Sequence, residues 1–279
     1  MRVEHAPAKL NLLLQVGAPR TDGLHPLCSI FVALDLVDEV RVEPAAGESD
    51  TVSCPGVEAE NLAARALAAY RAAAPRADLA PLSVQIQKRI PVAGGLGGGS
   101  ADAAAVLRAA DALAGERLEP RALREVAAGL GADVPSQLAP RSALVQGVGE
   151  RVEPIELPPM AFVLVTSAEG LSTPHVYGEL DRLRAAGVAA PRSRLEPDRV
   201  RGLARAPLAL LASRLENDLQ VAALSLRPAL IETLAQLGDA GALAARVTGS
   251  GPTAFGVFAD RAGAEAAAVI PGSMVAEPL

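Results

Sequence analysis

Five glycines within six positions, Gly94-Gly95-Leu96-Gly97-Gly98-Gly99, run directly into Ser100-Ala101-Asp102-Ala103-Ala104 and constrain the fold more than any other segment. Glycine lets the backbone take positive φ and lets a bulky ligand approach main-chain N–H groups that a Cβ would screen. From Ser100 to Leu113 there is neither proline nor glycine, and Ala103, Leu107, Ala110 and Ala114 recur at helical spacing, so a helix is expected to start near Ser100. Upstream, Leu82, Val84 and Ile86 alternate with Ser83, Gln85 and Gln87, the period of a half-buried strand. Strand, glycine loop and helix therefore follow one another. The unpaired first-turn N–H groups and the helix dipole both favour an anion at that point, and a nucleotide phosphate is the natural guest. A flexible linker would not lead from a strand straight into a strong helix. No glycine here precedes Lys-Ser or Lys-Thr as a Walker A requires. The third glycine of G-x-G-x-x-G is missing in either frame, where Ser100 and Asp102 stand.

A chain of 279 residues, half of them apolar, has ample material for one large or two modest cores. Its apolar runs are broken by charge short of the roughly 18 to 20 residues that cross a bilayer, and no basic-then-apolar signal opens it, so a cytoplasmic location and no membrane partner are expected. Cys28 and Cys54 form no C-x-x-C pair and sit near no histidine cluster, so neither a protein-bound metal nor a disulfide is expected. The net charge of −6, no Trp, two Tyr and four Phe argue against a nucleic-acid surface. An acidic protein must hold an anionic nucleotide locally, through backbone donors and a few placed cations, which suits the glycine loop.

Ala8 to Val16 reads as a strand whose alternation puts Lys9 and Asn11 on one face. A turn at Arg20-Thr21-Asp22-Gly23 precedes an apolar run, Cys28 to Leu36, and then Asp38 to Glu43, which alternates like an exposed strand. Helices are expected over Glu60 to Ala74 and Pro120 to Leu130, the second with proline in its first turn and Gly129 or Gly131 to end it. A hairpin is expected from Ala143 to Gln146 and Arg151 to Ile155, then a strand from Ala161 to Thr166, with a domain boundary near residue 155 dividing 1–155 from 156–279. Beyond it come helices near Thr173 to Ala186, Asn217 to Ser225 and Pro228 to Leu237, and strands flanking Thr248-Gly249-Ser250-Gly251-Pro252. A helix near Ala262 to Ala268 and a strand near Met274 close the chain, while Val188 to Arg205 reads as irregular and exposed.

Three separated segments, Pro7-Ala8-Lys9-Leu10-Asn11-Leu12, the glycine loop through Ser100, and Arg246-Val247-Thr248-Gly249-Ser250-Gly251-Pro252-Thr253, together resemble the GHMP small-molecule kinase superfamily. Asp22-Gly23-Leu24-His25, Leu130-Gly131-Ala132-Asp133-Val134-Pro135 and Gly147-Val148-Gly149-Glu150 extend the resemblance over nearly the whole chain. It implies an α+β protein of two domains, the N-terminal one ribosomal protein S5 domain 2-like and the C-terminal one ferredoxin-like, with an active site in the interdomain cleft. The reaction it implies is ATP-dependent phosphorylation of the 2-hydroxyl of a cytidine diphosphate sugar alcohol, 4-diphosphocytidyl-2-C-methyl-D-erythritol, on the non-mevalonate route to isoprenoid precursors. Mg2+ would arrive with the ATP, and a monomer or weak homodimer is expected.

Phosphoryl transfer needs an oxygen positioned in line and charge stabilised on the transferring group. By the family pattern Asp133 accepts the substrate proton, and Lys9 fixes that carboxylate and offsets charge near the γ-phosphate. Read without the resemblance, Asp133 is a turn residue after a helix and Lys9 a solvated strand lysine. Pro91, Gly94, Gly95, Leu96, Gly97, Gly98, Gly99 and Ser100 are implied to hold ATP; Asn11, His25, Thr173 and Tyr177 are implied to hold the second substrate. Asn11 orients either substrate or Lys9, unless it is a polar strand residue facing solvent. Asp102 is expected to cap the helix, with a magnesium role as the alternative. Two positions depart from the family: Leu24 replaces a Tyr that stacks on the cytosine, and Ser136 replaces an apolar residue and is expected to alter packing beneath Asp133. A different alcohol, such as homoserine or a mevalonate-type substrate, is the alternative within the same chemistry. A catalytically silent relative would lack Lys9 or Asp133.

Overall fold

The computed structural model describes residues 1–57, 61–74, 79–115, 118–167 and 169–279, in two compact units that each draw on separated parts of the chain. Unit one comprises Met1–Ala8, Leu36–Val92 and Gly97–Pro140; unit two comprises Lys9–Asp35, Ala93–Leu96 and Arg141–Leu279. Two long strands, β1 (Arg2–Val16) and β2 (Leu27–Pro44), therefore each contribute one end to either unit. The apolar run and the alternating stretch after it are one continuous strand.

In unit one the second half of β2 pairs antiparallel with β4 (Leu82–Gln87), with Val40 opposite Ile86 and Val42 opposite Val84, and β3 (Thr51–Ser53) adds to β4 in parallel. Helices α1 (Leu62–Ala73) and α2 (Gly98–Leu113) pack on one another, joined by α3 (Pro120–Leu130) and the single turn α4 (Val134–Gln137). The core between strands and helices is built from Val40, Val42, Val84 and Ile86 with Leu67, Tyr70, Val106, Leu107 and many alanines. Small side chains on α2 let neighbouring helices come close. Asn61 caps α1 by accepting from the Ala63 amide at 2.9 Å. The expected helix start at Glu60 lies outside the described residues.

In unit two the first half of β2 pairs antiparallel with β5 (Ala143–Gly147), which forms the expected hairpin with β6 (Arg151–Pro154). A second sheet is antiparallel throughout, in the order β10 (Ser273–Ala276), β7 (Ala161–Val165), β9 (Ala254–Phe258), β8 (Ala244–Val247). The fourth strand beside the first, then third and second, is the split βαβ order of a ferredoxin-like unit. On it pack α9 (Leu230–Asp239) and α10 (Arg261–Ala267), through Leu237, Ala264 and Ala267. Helices α5 (Thr173–Ala185) and α8 (Gln220–Leu226) form a further layer with Leu14, Val16 and Phe31.

The stretch expected to be irregular contains α6 (Pro197–Ala204), followed by α7 (Leu208–Ser213). Val200 and Ala204, four apart, are fully buried, while Arg199 and Arg201 on the outer side pair with Glu216 and Glu153. Proline at the first turn and arginines on one face suit a helix as well as they suit a loop.

Candidate functional site

In unit two the polar groups of β1 are inside the protein. Both faces of the strand are covered from Ala6 to Val16, so Lys9 is only 7% and Asn11 only 4% exposed. The readings of a solvated lysine and a solvent-facing asparagine are both overturned. Lys9 Nζ donates to Asn11 Oδ1 at 2.6 Å and lies 5.0 Å from the centre of the Phe31 ring. Asn11 Nδ2 donates to Ser29 Oγ at 3.0 Å, and Ser29 donates onward to the Leu13 carbonyl at 2.6 Å. The two side chains on one strand face thus form a polar ladder with Ser29.

The Thr248–Pro252 loop belongs to the same cluster. Thr248 Oγ1 accepts from the Asn11 amide at 2.8 Å, and Asn217 Nδ2 donates to the carbonyls of Val247 and Gly249, both at 2.8 Å. The first half of the glycine loop, Ala93–Leu96, is tied to both. The Lys9 amide donates to the Leu96 carbonyl at 2.8 Å, and Thr253 Oγ1 donates to the Gly94 carbonyl at 2.5 Å. A Cβ added to Gly95 would strike the Gly251 carbonyl oxygen. Ala93 takes a positive φ of 59°, uncommon without glycine.

From Gly97 the loop belongs to unit one. Gly97, at φ 70° and ψ 17°, ends the turn, and α2 begins at Gly98, two residues earlier than its sequence suggests. Asp102 does not cap this helix, whose N-cap is Gly97 with no side-chain bond. It is the fifth helical residue, 2% exposed, and accepts from Lys88 Nζ at 2.7 Å. Lys88 also donates to the buried Asp38 at 2.5 Å, and Asp38 Oδ1 accepts from the amides of Arg89 and Ile90, the latter at 2.8 Å. Burial pushes the Asp102 carboxyl up to about 6 against the downward pull of Lys88. Burial works to lower Lys88, but Asp102 and Asp38 together raise it. Among the described residues Asp102 Oδ1 has no hydrogen-bond partner. Asp38 and Lys88 escaped the sequence reading, although Asp38 shares the parity of the core residues Val40 and Val42.

Asp133 stands at the N-cap of α4 in unit one, without using its side chain as a cap. Ser136 is buried and donates to the Asp133 carbonyl at 2.8 Å, so the hydroxyl tethers the peptide that carries this carboxylate. Arg108 Nη1 donates to the nearby Gln137 carbonyl at 2.6 Å, fixing the other end of α4.

A third group lies in unit two. The His25 ring rests on Tyr177 with centroids 4.9 Å apart, and its Nε2 is 3.0 and 3.1 Å from the two oxygens of Asp181. Thr173, at the start of the same helix, shares a 2.9 Å hydrogen bond with Ser250. Leu24 is 52% exposed.

The model for the GHMP kinases N terminal domain matches residues 61–139, and the model for the GHMP kinases C terminal matches residues 200–271. A 4-diphosphocytidyl-2-C-methyl-D-erythritol kinase from Streptomyces avermitilis is 44% identical over 94% of this chain and 89% of its own length. The chain belongs to the GHMP kinases. The enzyme of the same name from Streptomyces coelicolor is 46% identical over 88% of this chain and 84% of its own. A crystal structure of 4-(cytidine 5'-diphospho)-2C-methyl-D-erythritol kinase superposes with a TM-score of 0.81 at 33% identity, covering 99% of this chain and 98% of that one. As a GHMP kinase the protein is an ATP-dependent kinase of small molecules with the expected α+β fold. The N-terminal GHMP match contains Lys88, the glycine loop, Asp102 and Asp133, and the C-terminal match contains Thr248–Pro252; Lys9, Asn11, His25, Thr173 and Tyr177 lie outside both. Among the described residues no cluster of three or more His, Cys, Asp or Glu side chains could hold a metal, and no helix is long and apolar enough to cross a membrane.

Proposed function

We propose that this GHMP kinase transfers the γ-phosphoryl group of ATP to the 2-hydroxyl of 4-diphosphocytidyl-2-C-methyl-D-erythritol. The observation that carries the substrate is the 44% identity, over nearly the full length of both chains, to an enzyme named for that substrate. In this reading ATP enters as its magnesium complex, so the metal is part of the substrate. The phosphates lie on Gly94–Ser100, where main-chain donors and the start of a 16-residue helix favour an anion. The Asp133 carboxylate takes the proton from the 2-hydroxyl as its oxygen attacks the γ-phosphorus and ADP leaves. Lys9, oriented by Asn11, offsets the negative charge that gathers on the transferring group. His25, Tyr177 and Thr173 hold the cytidyl substrate. We place this chemistry in the cytoplasm, as the work of a monomer or weak homodimer.

The test is ADP release with MgATP and the cytidyl alcohol beside homoserine and mevalonate. Turnover with the cytidyl alcohol alone is expected; turnover with another alcohol instead would keep the kinase and overturn the substrate. Asp133→Asn is expected to lower kcat by roughly 10²- to 10⁴-fold, the range for a positioned general base, with ATP affinity retained. Unimpaired turnover would put the base elsewhere.

A further inference from the structure

Helix α5 brings two groups to the same histidine. Tyr177 and Asp181 are four residues apart, hence on one helical face, and the first packs against the His25 ring while the second meets its Nε2. The residues on either side of His25 are held independently. Asp22 Oδ1 accepts from the Leu24 amide at 3.0 Å, the Arg20 amide donates to the Leu24 carbonyl at 2.8 Å, and the Gly17 amide donates to the Pro26 carbonyl at 2.8 Å. With its neighbours tied into the turn and its side chain 7% exposed between a phenol and a carboxylate, His25 is held with Nε2 toward Asp181.

That arrangement also fixes where the proton sits. An ionised carboxylate only accepts hydrogen bonds, so the histidine nitrogen facing both Asp181 oxygens must carry a proton. In the neutral ring the other nitrogen, Nδ1, is then an unprotonated acceptor. An acceptor of fixed direction matches an amino group and opposes a carbonyl oxygen, and these are what distinguish a 4-aminopyrimidine from its 4-oxo counterpart.

We infer that Asp181 is a positioning residue that holds His25 in the Nε2–H tautomer, and that through it the site selects an amino-bearing pyrimidine over a carbonyl-bearing one. The inference rests on the reading that His25 meets the substrate base. It also gives Leu24 a context: with an aliphatic side chain before the histidine, selection falls on the hydrogen-bond polarity of the ring. A site built around one polar partner rejects the analogue that cannot satisfy it more strongly than an apolar pocket rejects a wrong shape.

The experiment compares the cytidyl alcohol with its uridyl counterpart in wild type, Asp181→Ala, Asp181→Asn and Asp181→Glu. For Asp181→Ala the expected result is a KM for the cytidyl alcohol raised about tenfold, the equivalent of about 1.4 kcal/mol. The kcat and the KM for ATP stay unchanged, and the cytidyl-to-uridyl preference shrinks to match. Asp181→Glu restores most of that preference, and Asp181→Asn, whose amide can also donate to Nε2, does not. A preference that survives in every variant, or a fall in kcat with both KM values rising together, would overturn the role. An inactive wild type would instead overturn the cytidyl reading. The tautomer is checked without substrate by ¹⁵N NMR of the three histidine rings, where His25 is expected as Nε2–H in wild type and as a mixture in Asp181→Ala. An Nδ1–H ring in the wild-type protein would sink the inference whatever the kinetics.

Discussion

The two halves of the glycine loop contain the same residue for different reasons. Ala93–Leu96 is held from outside, through the Lys9 amide, the Thr253 hydroxyl and the backbone of Gly251, and its glycine at position 95 exists because another main chain occupies the space of a side chain. Gly97–Ser100 is shaped by one left-handed residue and then the hydrogen bonds of α2; a Cβ at Gly98 would press on Ile90 and Lys88, but at Gly99 nothing lies within 4 Å of where a Cβ would be. The first half is a clamp; the second, at Gly99, keeps open room at donors that a phosphate could reach. A glycine-rich motif is therefore not a uniform surface, and its positions can be separated by experiment.

The largest effect is expected at the clamp. Gly95→Ala forces an ordinary residue to φ +77° and drives its Cβ into the Gly251 carbonyl oxygen. Left-handed strain and overpacking together should cost about 3 kcal/mol or more, seen as a much lower Tm together with a raised KM for ATP. A variant that keeps its Tm and loses only ATP affinity would move Gly95 into the open half and break the comparison.

The strand, loop and helix were legible because hydrophobic period and glycine content are local properties. Parity alone put Lys9 and Asn11 together. Their burial was not legible, because β1 is covered on both faces and its alternation looks the same whether or not the polar face is covered. The helix start was misplaced because intrinsic propensity penalises Gly98 and Gly99, whereas the left-handed Gly97 before them sets the boundary. Partners distant in sequence were invisible: Asp38 and Lys88 are 50 residues apart, and His25 and Asp181 are 156 apart. Nearness to the glycines suggests a cap at Asp102, but Lys88, just past the end of the preceding strand, claims it.

That ion cluster carries the second effect, since it lies at the start of α2 and separates how the open half is supported from how it binds. The folded-state Asp102 carboxyl is raised to about 6 by burial, whereas an unfolded carboxyl titrates near 3.9. A raised carboxyl means that the native state binds its proton more tightly. Stability from this group is then lost as pH climbs from about 4 through about 6, and above that the cost of the buried charge is complete. The shift corresponds to roughly 3 kcal/mol at most. Asp102→Asn lacks the titration, so the stability of wild type minus that of the variant should fall between pH 4 and pH 6 and then level off. A difference that rises over the same window would mean that Lys88 more than offsets the burial.

The smallest effect sharpens the comparison most. Gly99 has an ordinary negative φ and open space around it, and it sits in the first turn of a helix. Gly99→Ala should therefore gain about 0.5–1 kcal/mol of helix stability, the usual advantage of alanine over glycine, and raise Tm by roughly 1–3 °C. The same methyl group would stand where a phosphate approaches the main-chain N–H groups, so the KM for ATP should rise while the fold becomes firmer. Stability and affinity moving in opposite directions is the signature of a glycine kept for its ligand. At Gly95 both should worsen together, as expected of a glycine kept for its neighbours. If Gly99→Ala gains stability and leaves the KM for ATP unchanged, the phosphate does not pass this residue, and the second half of the loop loses its open position.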